Sequence, residues 1–138
     1  MAERQFSEID APNPFAELIG LRLAAAGDGR SQYVLEVSDQ LLNPNRVLHG
    51  AAMYAMADTG MGAALVSLLE RDESCATVEI KINYIRPVTS GHLTCQTKVV
   101  HKGKRIAVLE SEVENDGRLV ARALGTYYIQ KIETFQRK

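Results

Sequence analysis

Residues 48–69 read LHGAAMYAMADTGMGAALVSLL, an almost charge-free run with one carboxylate, Asp58, near its middle. The run is long enough for a helix to cross a bilayer. Against a membrane span, it is rich in Ala and Gly rather than Leu and Ile. A carboxylate at the bilayer centre would also cost about 2.5–3.5 kcal/mol even on translocon scales. The stretch predicts instead a long helix, from about His49 to Leu69, that is apolar on nearly all sides and so must be covered nearly all round by its own domain.

The sequence on either side supplies the cover. Before the helix, Asn43-Pro44-Asn45-Arg46 reads as a loop, and Tyr33, Leu35 and Val37 alternate with Val34, Glu36 and Ser38 as a strand does. Earlier still, Asn13-Pro14 is suited to cap and start a short helix over about residues 14–20, with Gly20 as its exit. After the helix the pattern is β from Cys75 onward. Val78, Ile80, Ile82 and Tyr84 alternate with Thr77, Glu79, Lys81 and Asn83, which predicts a strand with one buried face ending at Pro87. Strands are expected at 93–100, 106–114 and 118–129, with turns at 88–91, 101–104 and 115–117. Asp116-Gly117 accepts the positive φ angles of a tight hairpin. One strand, one long helix and four strands imply an α+β domain in which a curved antiparallel sheet wraps a central helix. Ala51, Ala52, Ala55, Ala57, Gly60, Gly62, Ala63 and Ala64 let the sheet approach closely. Residues 131–138 read as a polar tail.

Composition agrees with one globular domain over residues 1–138: 46% of the chain is apolar, 24% charged, and 16 basic side chains oppose 17 acidic ones. Such a chain can build its core without a disulfide or metal staple. Near-neutral charge without a basic block argues against nucleic acid as a partner. Cys75 and Cys95 have no second Cys or His at zinc-ligand spacing, so no metal is expected, and they read as buried thiols in a reducing compartment. Glu3, Arg4, Glu8 and Asp10 interrupt the N-terminus too often for a secretory signal. A cytoplasmic location is therefore expected.

Two positions on the long helix could do chemistry. Asp58, flanked by Met56, Ala57, Met61 and Gly62, is costly to bury uncompensated. It either meets water or an arginine at an edge, or serves as a general base or nucleophile; ionisable groups in such settings cluster at active sites, which favours the second. If dry, it should hold its proton more tightly. At the helix start, His49-Gly50 stands where unpaired N–H groups point outward, and Gly admits a carbonyl oxygen to the amide as in an oxyanion hole. The plain alternative is a His that caps its own helix. Eight residues separate Gly50 from Asp58, about 12 Å at 1.5 Å each. A site using both therefore needs two chains related by a two-fold axis, each giving its helix start to the other's carboxylate.

Asn43, Gly50 and Asp58 in the run Asn43-Pro44-Asn45-Arg46-Val47-Leu48-His49-Gly50, then Ala57-Asp58-Thr59 and Tyr84-Ile85-Arg86-Pro87, together resemble the hotdog-fold acyl-CoA thioesterases of the phenylacetate-degradation type. The resemblance covers about residues 40–130. It implies that the Gly50 amide polarises a thioester carbonyl and that Asp58 of the facing subunit activates water or attacks directly. It also implies that His49 and Asn43 orient carbonyl and nucleophile, and that Thr77 steadies the water. The nucleotide end of coenzyme A is expected near Tyr84, Arg86 and the turn His101, Lys102, Gly103, Lys104 and Arg105, where cations could meet phosphates; a solvated basic turn is the alternative. The implied assembly is a homodimer, paired into a homotetramer, working on an acyl-CoA without a separate cofactor. These enzymes commonly carry two glycines after the His, and here Ala51 takes the second place. Their hydratase relatives look for a His at the position of Ala63, which disfavours hydration; a non-catalytic acyl-CoA sensor is the reading from another class. An aromatic or medium-chain acyl group is expected, in a pocket shaped by Met53, Tyr54, Met61 and the loop around Leu42.

Overall fold

The computed structural model describes residues 4–132. In chain order it contains α1 (Phe6–Ile9), α2 (Pro14–Ile19), β1 (Arg22–Gly27), β2 (Arg30–Glu36), a 3-10 turn at Asp39–Leu41, α3 (Gly50–Val66), β3 (Glu73–Tyr84), β4 (His92–Lys102), β5 (Ile106–Asn115) and β6 (Arg118–Lys131). The six strands form one antiparallel sheet in the order β1-β2-β4-β5-β6-β3. This sheet curves about α3 in the α+β hotdog arrangement. Among the described residues, no helix is long and apolar enough to cross a membrane.

α3 is buried as its composition requires: Met53, Met56, Ala57, Met61, Ala64 and Leu65 are all closed to solvent. One apolar cluster lies around Leu35, Met53, Met56, Leu93 and Val113. A second surrounds Met61, Leu65, Leu109, Tyr127 and Ile129. Between them the helix is pinned by hydroxyls. Ser31 Oγ donates to the Gly60 carbonyl at 2.6 Å, and Thr97 Oγ1 lies 2.6 Å from Ser111 Oγ beneath the same turn. A Cβ at Gly60 would sit 2.7 Å from Thr97 Oγ1, so close approach here needs a glycine.

The helix starts where expected, with His49 as its cap, but ends at Val66, short of Leu69. Ser67 stops it, donating back to the Ala64 carbonyl at 2.6 Å and accepting from Gly29 N–H at 2.8 Å, which ties the helix end to the β1–β2 turn. The short helix after Asn13-Pro14 forms as read: Asn13 Oδ1 accepts from Ala16 N–H at 3.1 Å, and Gly20 closes it at φ 78°. The hairpin at 115–117 also forms, with Asp116 at φ 48° and Gly117 at φ 86°. β1 and α1 carry no comparable signal. Arg22-Leu23-Ala24-Ala25-Ala26-Gly27 is weak strand material, and it is extended because β2 offers it an edge to pair with. At the C-terminus β6 runs to Lys131, into the stretch read as a tail; residues 133–138 lie outside the described ones.

Candidate active site

Along α3 the residues Tyr54, Asp58, Gly62 and Val66, four apart, are only half-buried. This stripe opens Asp58 onto a cleft of about 820 Å³ between α3, the start of β3 and the N-terminal segment. The carboxylate is compensated by two hydroxyls rather than by an arginine. Thr77 Oγ1 donates to Asp58 Oδ1 at 2.7 Å, and Tyr127 OH donates to the same oxygen at 2.5 Å while lying 2.7 Å from the Asp58 carbonyl. Among the described residues Oδ2 has no protein donor. One oxygen is therefore fixed and the other is free to take a proton or attack.

Burial pushes the Tyr127 hydroxyl far above the usual tyrosine range, and its bond to the Asp58 carboxylate pushes it further, so it stays a donor. Cys75, on the same cleft, is half-buried rather than fully buried as the sequence suggested. Its thiol is pushed up by burial and then by the negative charge of Asp58, which keeps it protonated and poorly nucleophilic at neutral pH. Cys95 is buried and free, and burial raises its thiol to about 11.

Thr77 reaches Asp58 because β3 is irregular. Strict alternation places Thr77 on the face opposite Ile80. The pairing with β6 instead runs Ile80↔Gly125, Glu79↔Thr126 and Thr77↔Tyr127, leaving Val78 unpaired in a bulge. The extra residue resets the phase, so Thr77 and Cys75 share the inward face with Ile80 and Ile82. Val78, expected in the core, is 60% exposed in consequence. Tyr84, the other end of the expected buried face, is 50% exposed.

At the start of α3 the first-turn amides divide cleanly. His49 Nδ1 accepts from Ala51 N–H at 2.9 Å, and Ala52 N–H donates to the His49 carbonyl at 3.0 Å. Among the described residues, the Gly50 N–H is left without a partner. His49 thus caps its own helix, the plainer of the two readings. Asn43 is likewise engaged locally, its Oδ1 accepting from Asn45 N–H at 2.9 Å and Val47 N–H at 3.4 Å. Tyr84 lies over Gly50 and donates to its carbonyl at 2.8 Å. A Cβ at Gly50 would sit 2.9 Å from Tyr84 Cζ. Arg86 Nη1 donates to the Leu119 carbonyl at 2.6 Å, beside the same end of the sheet.

A single chain therefore distributes the predicted residues over three places. Asp58 and Thr77 meet, joined by Tyr127, which the sequence reading missed. Gly50, His49, Asn43, Tyr84 and Arg86 belong to the helix start, about 12 Å along α3 from Asp58. The largely exposed turn His101, Lys102, Gly103, Lys104 and Arg105 lies at the opposite end of the sheet from the helix start. Tyr84 pairs with Ala121 and the Arg105 carbonyl accepts from Ile129 N–H, eight residues or roughly 26 Å along β6. Met53 and Met61 do not shape the cleft: both are core residues, and Met61 fills the space that a side chain at Gly125 would need. Among the described residues, no cluster of three or more His, Cys, Asp or Glu side chains could hold a metal ion.

Comparison with known proteins gives the family of the chain. A conserved protein of Pseudomonas aeruginosa has the same architecture with a TM-score of 0.86 at 36% identity, over 91% of this chain and all of that one. A mutant form of the phenylacetic acid degradation protein of Thermus thermophilus superposes with a TM-score of 0.79 at 26% identity, covering 84% of this chain and 98% of that one. The 1,4-dihydroxy-2-naphthoyl-CoA hydrolase of Listeria monocytogenes is 25% identical over 100 residues, 72% of this chain and 81% of its own. Residues 45–121, more than half of the chain and spanning the helix start, Asp58, Thr77 and Tyr84, match the thioesterase superfamily. The chain belongs to that superfamily and is a hotdog-fold thioester hydrolase.

Proposed function

We propose that the chain hydrolyses an acyl-CoA thioester to a free acid and coenzyme A, at two equivalent sites shared between the subunits of a homodimer. The observation that carries the reading is the Asp58 carboxylate, with Oδ1 held by Thr77 and Tyr127 and Oδ2 free beside an open cleft. Asp58 Oδ2 takes a proton from water as the water oxygen attacks the thioester carbonyl, or attacks that carbon itself and is released by water in a second step. The oxyanion formed is held by the unpartnered Gly50 N–H of the facing subunit, reinforced by the positive end of α3. Collapse breaks the C–S bond, and the thiolate of coenzyme A leaves.

Two features support sharing between chains. The 12 Å between Gly50 and Asp58 is too long for one thioester group to bridge within a chain. β3 pairs with β6 on one side only, leaving a strand edge beside exposed Val78, Tyr84 and Ile85 that suits a second copy. Dimers pairing into tetramers, a cytoplasmic setting consistent with two free cysteines, and coenzyme A phosphates between Arg86 of one subunit and the 101–105 turn of the facing subunit complete the proposal.

The test is thiol release from a panel of aryl, short and medium acyl-CoA esters, on which a sensor or a hydratase releases none. Asp58→Asn, nearly isosteric with the wild-type side chain, should keep the fold and lower kcat at least about a hundredfold, the scale of lost base catalysis. Retention of most of the activity by that variant would overturn the assignment.

A further inference from the structure

Gly62 stands one helical turn beyond Asp58 on the same face of α3, and both line the same cleft. The three glycines of α3 differ in what a side chain would meet. A Cβ at Gly50 would sit 2.9 Å from Tyr84 Cζ and one at Gly60 2.7 Å from Thr97 Oγ1, whereas one at Gly62 would find nothing within 4 Å. A side chain at 60 would meet the buried Thr97 and one at 50 the movable end of the half-exposed Tyr84 ring, whereas one at 62 meets nothing. A glycine inside a helix is conformationally expensive beside alanine. What the absent side chain leaves at 62 is empty volume directly alongside the carboxylate.

The surroundings of that volume indicate what enters it. On the helix side Gly62 is flanked by Ala63 and Val66, and Leu21, Leu23 and Tyr33 face the cleft from the N-terminal side. The acids on the cleft, Asp10, Glu17 and Asp58, outnumber its one base, Arg22. Such a cleft disfavours the phosphates of coenzyme A and any acyl group that ends in a carboxylate, and accepts an uncharged acyl group.

We propose that Gly62 is the size-setting residue for the acyl group, keeping room beside Asp58 for an uncharged acyl chain or ring larger than acetyl. The inference rests on the reading of Asp58 as the reacting carboxylate. It is tested by measuring kcat/KM of the full-length enzyme and of Gly62→Ala and Gly62→Leu on acetyl-, hexanoyl- and benzoyl-CoA, with melting temperatures in parallel. Wild type should accept at least one of the two larger esters. Gly62→Leu should lower kcat/KM for the larger esters at least about tenfold relative to acetyl-CoA, within the range that one methylene group commands in an apolar pocket. Gly62→Ala should shift the ratio the same way by less and should melt a few degrees higher, which keeps the test open if the leucine variant fails to fold.

Parallel loss on all three esters, an unchanged ratio in both variants, or a wild type confined to acetyl-CoA would overturn the inference. The two readings fail separately. An active Asp58→Asn with a shifted Gly62 ratio removes the carboxylate's role and keeps the size limit. An inactive Asp58→Asn with an unshifted ratio does the reverse.

Discussion

Asp58 is a carboxylate with one committed oxygen and one free one, and the commitment comes from two hydroxyls delivered by different strands. Hydrogen bonds to a charged group are worth about 1.5–3 kcal/mol, so losing either donor should let the carboxylate leave its productive orientation. We expect Thr77→Val and Tyr127→Phe each to lower kcat about tenfold, at about 1.4 kcal/mol per decade. Thiol-release kinetics of the two variants check this, and an unchanged kcat in Tyr127→Phe would mean that its hydroxyl serves packing alone. Asp58 was legible in the sequence because a charge amid Ala, Met and Gly stands out. Tyr127 was not, since it is one of two adjacent tyrosines in an ordinary alternating strand. Its signal lay in its phase: it shares the inward face with Gly125 and Ile129, and a buried tyrosine needs a partner for its hydroxyl.

At the scale of elements, the long helix was readable because almost every residue in it is apolar and small, and the later hairpins because their turns carry Asp-Gly or basic-Gly signals. The bulge at Val78 was not. Val78, Ile80, Ile82 and Tyr84 alternate without a flaw, and only the register imposed by β6 expels Val78 and turns Thr77 inward. Local periodicity cannot report a phase set by a partner strand. β1 escaped for a related reason, since an Ala-rich edge strand exists by pairing rather than by propensity. The helix also makes a contrast that tests its packing. Gly60→Ala drives a methyl group onto buried Thr97 Oγ1 and should cost about 1–3 kcal/mol, whereas Gly62→Ala, facing open space, should gain roughly 0.5–1 kcal/mol. Urea unfolding of the two variants should thus move in opposite directions from two positions on one helix. Equal shifts of the same sign would contradict the placement of α3 against β4.

For the whole molecule, the decisive property is that Gly50 and Asp58 lie at different heights on one rigid helix. No side-chain motion brings them together, because α3 is buried along most of its length and pinned by Ser31 and Ser67. A shared site then makes a prediction that a site within one chain does not. Gly50→Pro removes the amide hydrogen at the first helical position, where proline is well tolerated, and the half-exposed Tyr84 ring can swing aside. Gly50→Pro and Asp58→Asn should each be nearly inactive as pure dimers. In a mixed dimer one site carries both lesions and the other neither, since the intact Gly50 of one subunit faces the intact Asp58 of its partner. Random pairing on co-expression makes half the dimers mixed, each with one of two sites restored, so roughly a quarter of wild-type activity should return. Tagging the two variants differently and purifying the mixed species should raise this to about half. If the mixed species is as inactive as its parents, amide and carboxylate do not act on one thioester across the subunit boundary, and the oxyanion donor must be sought within the cleft that holds Asp58.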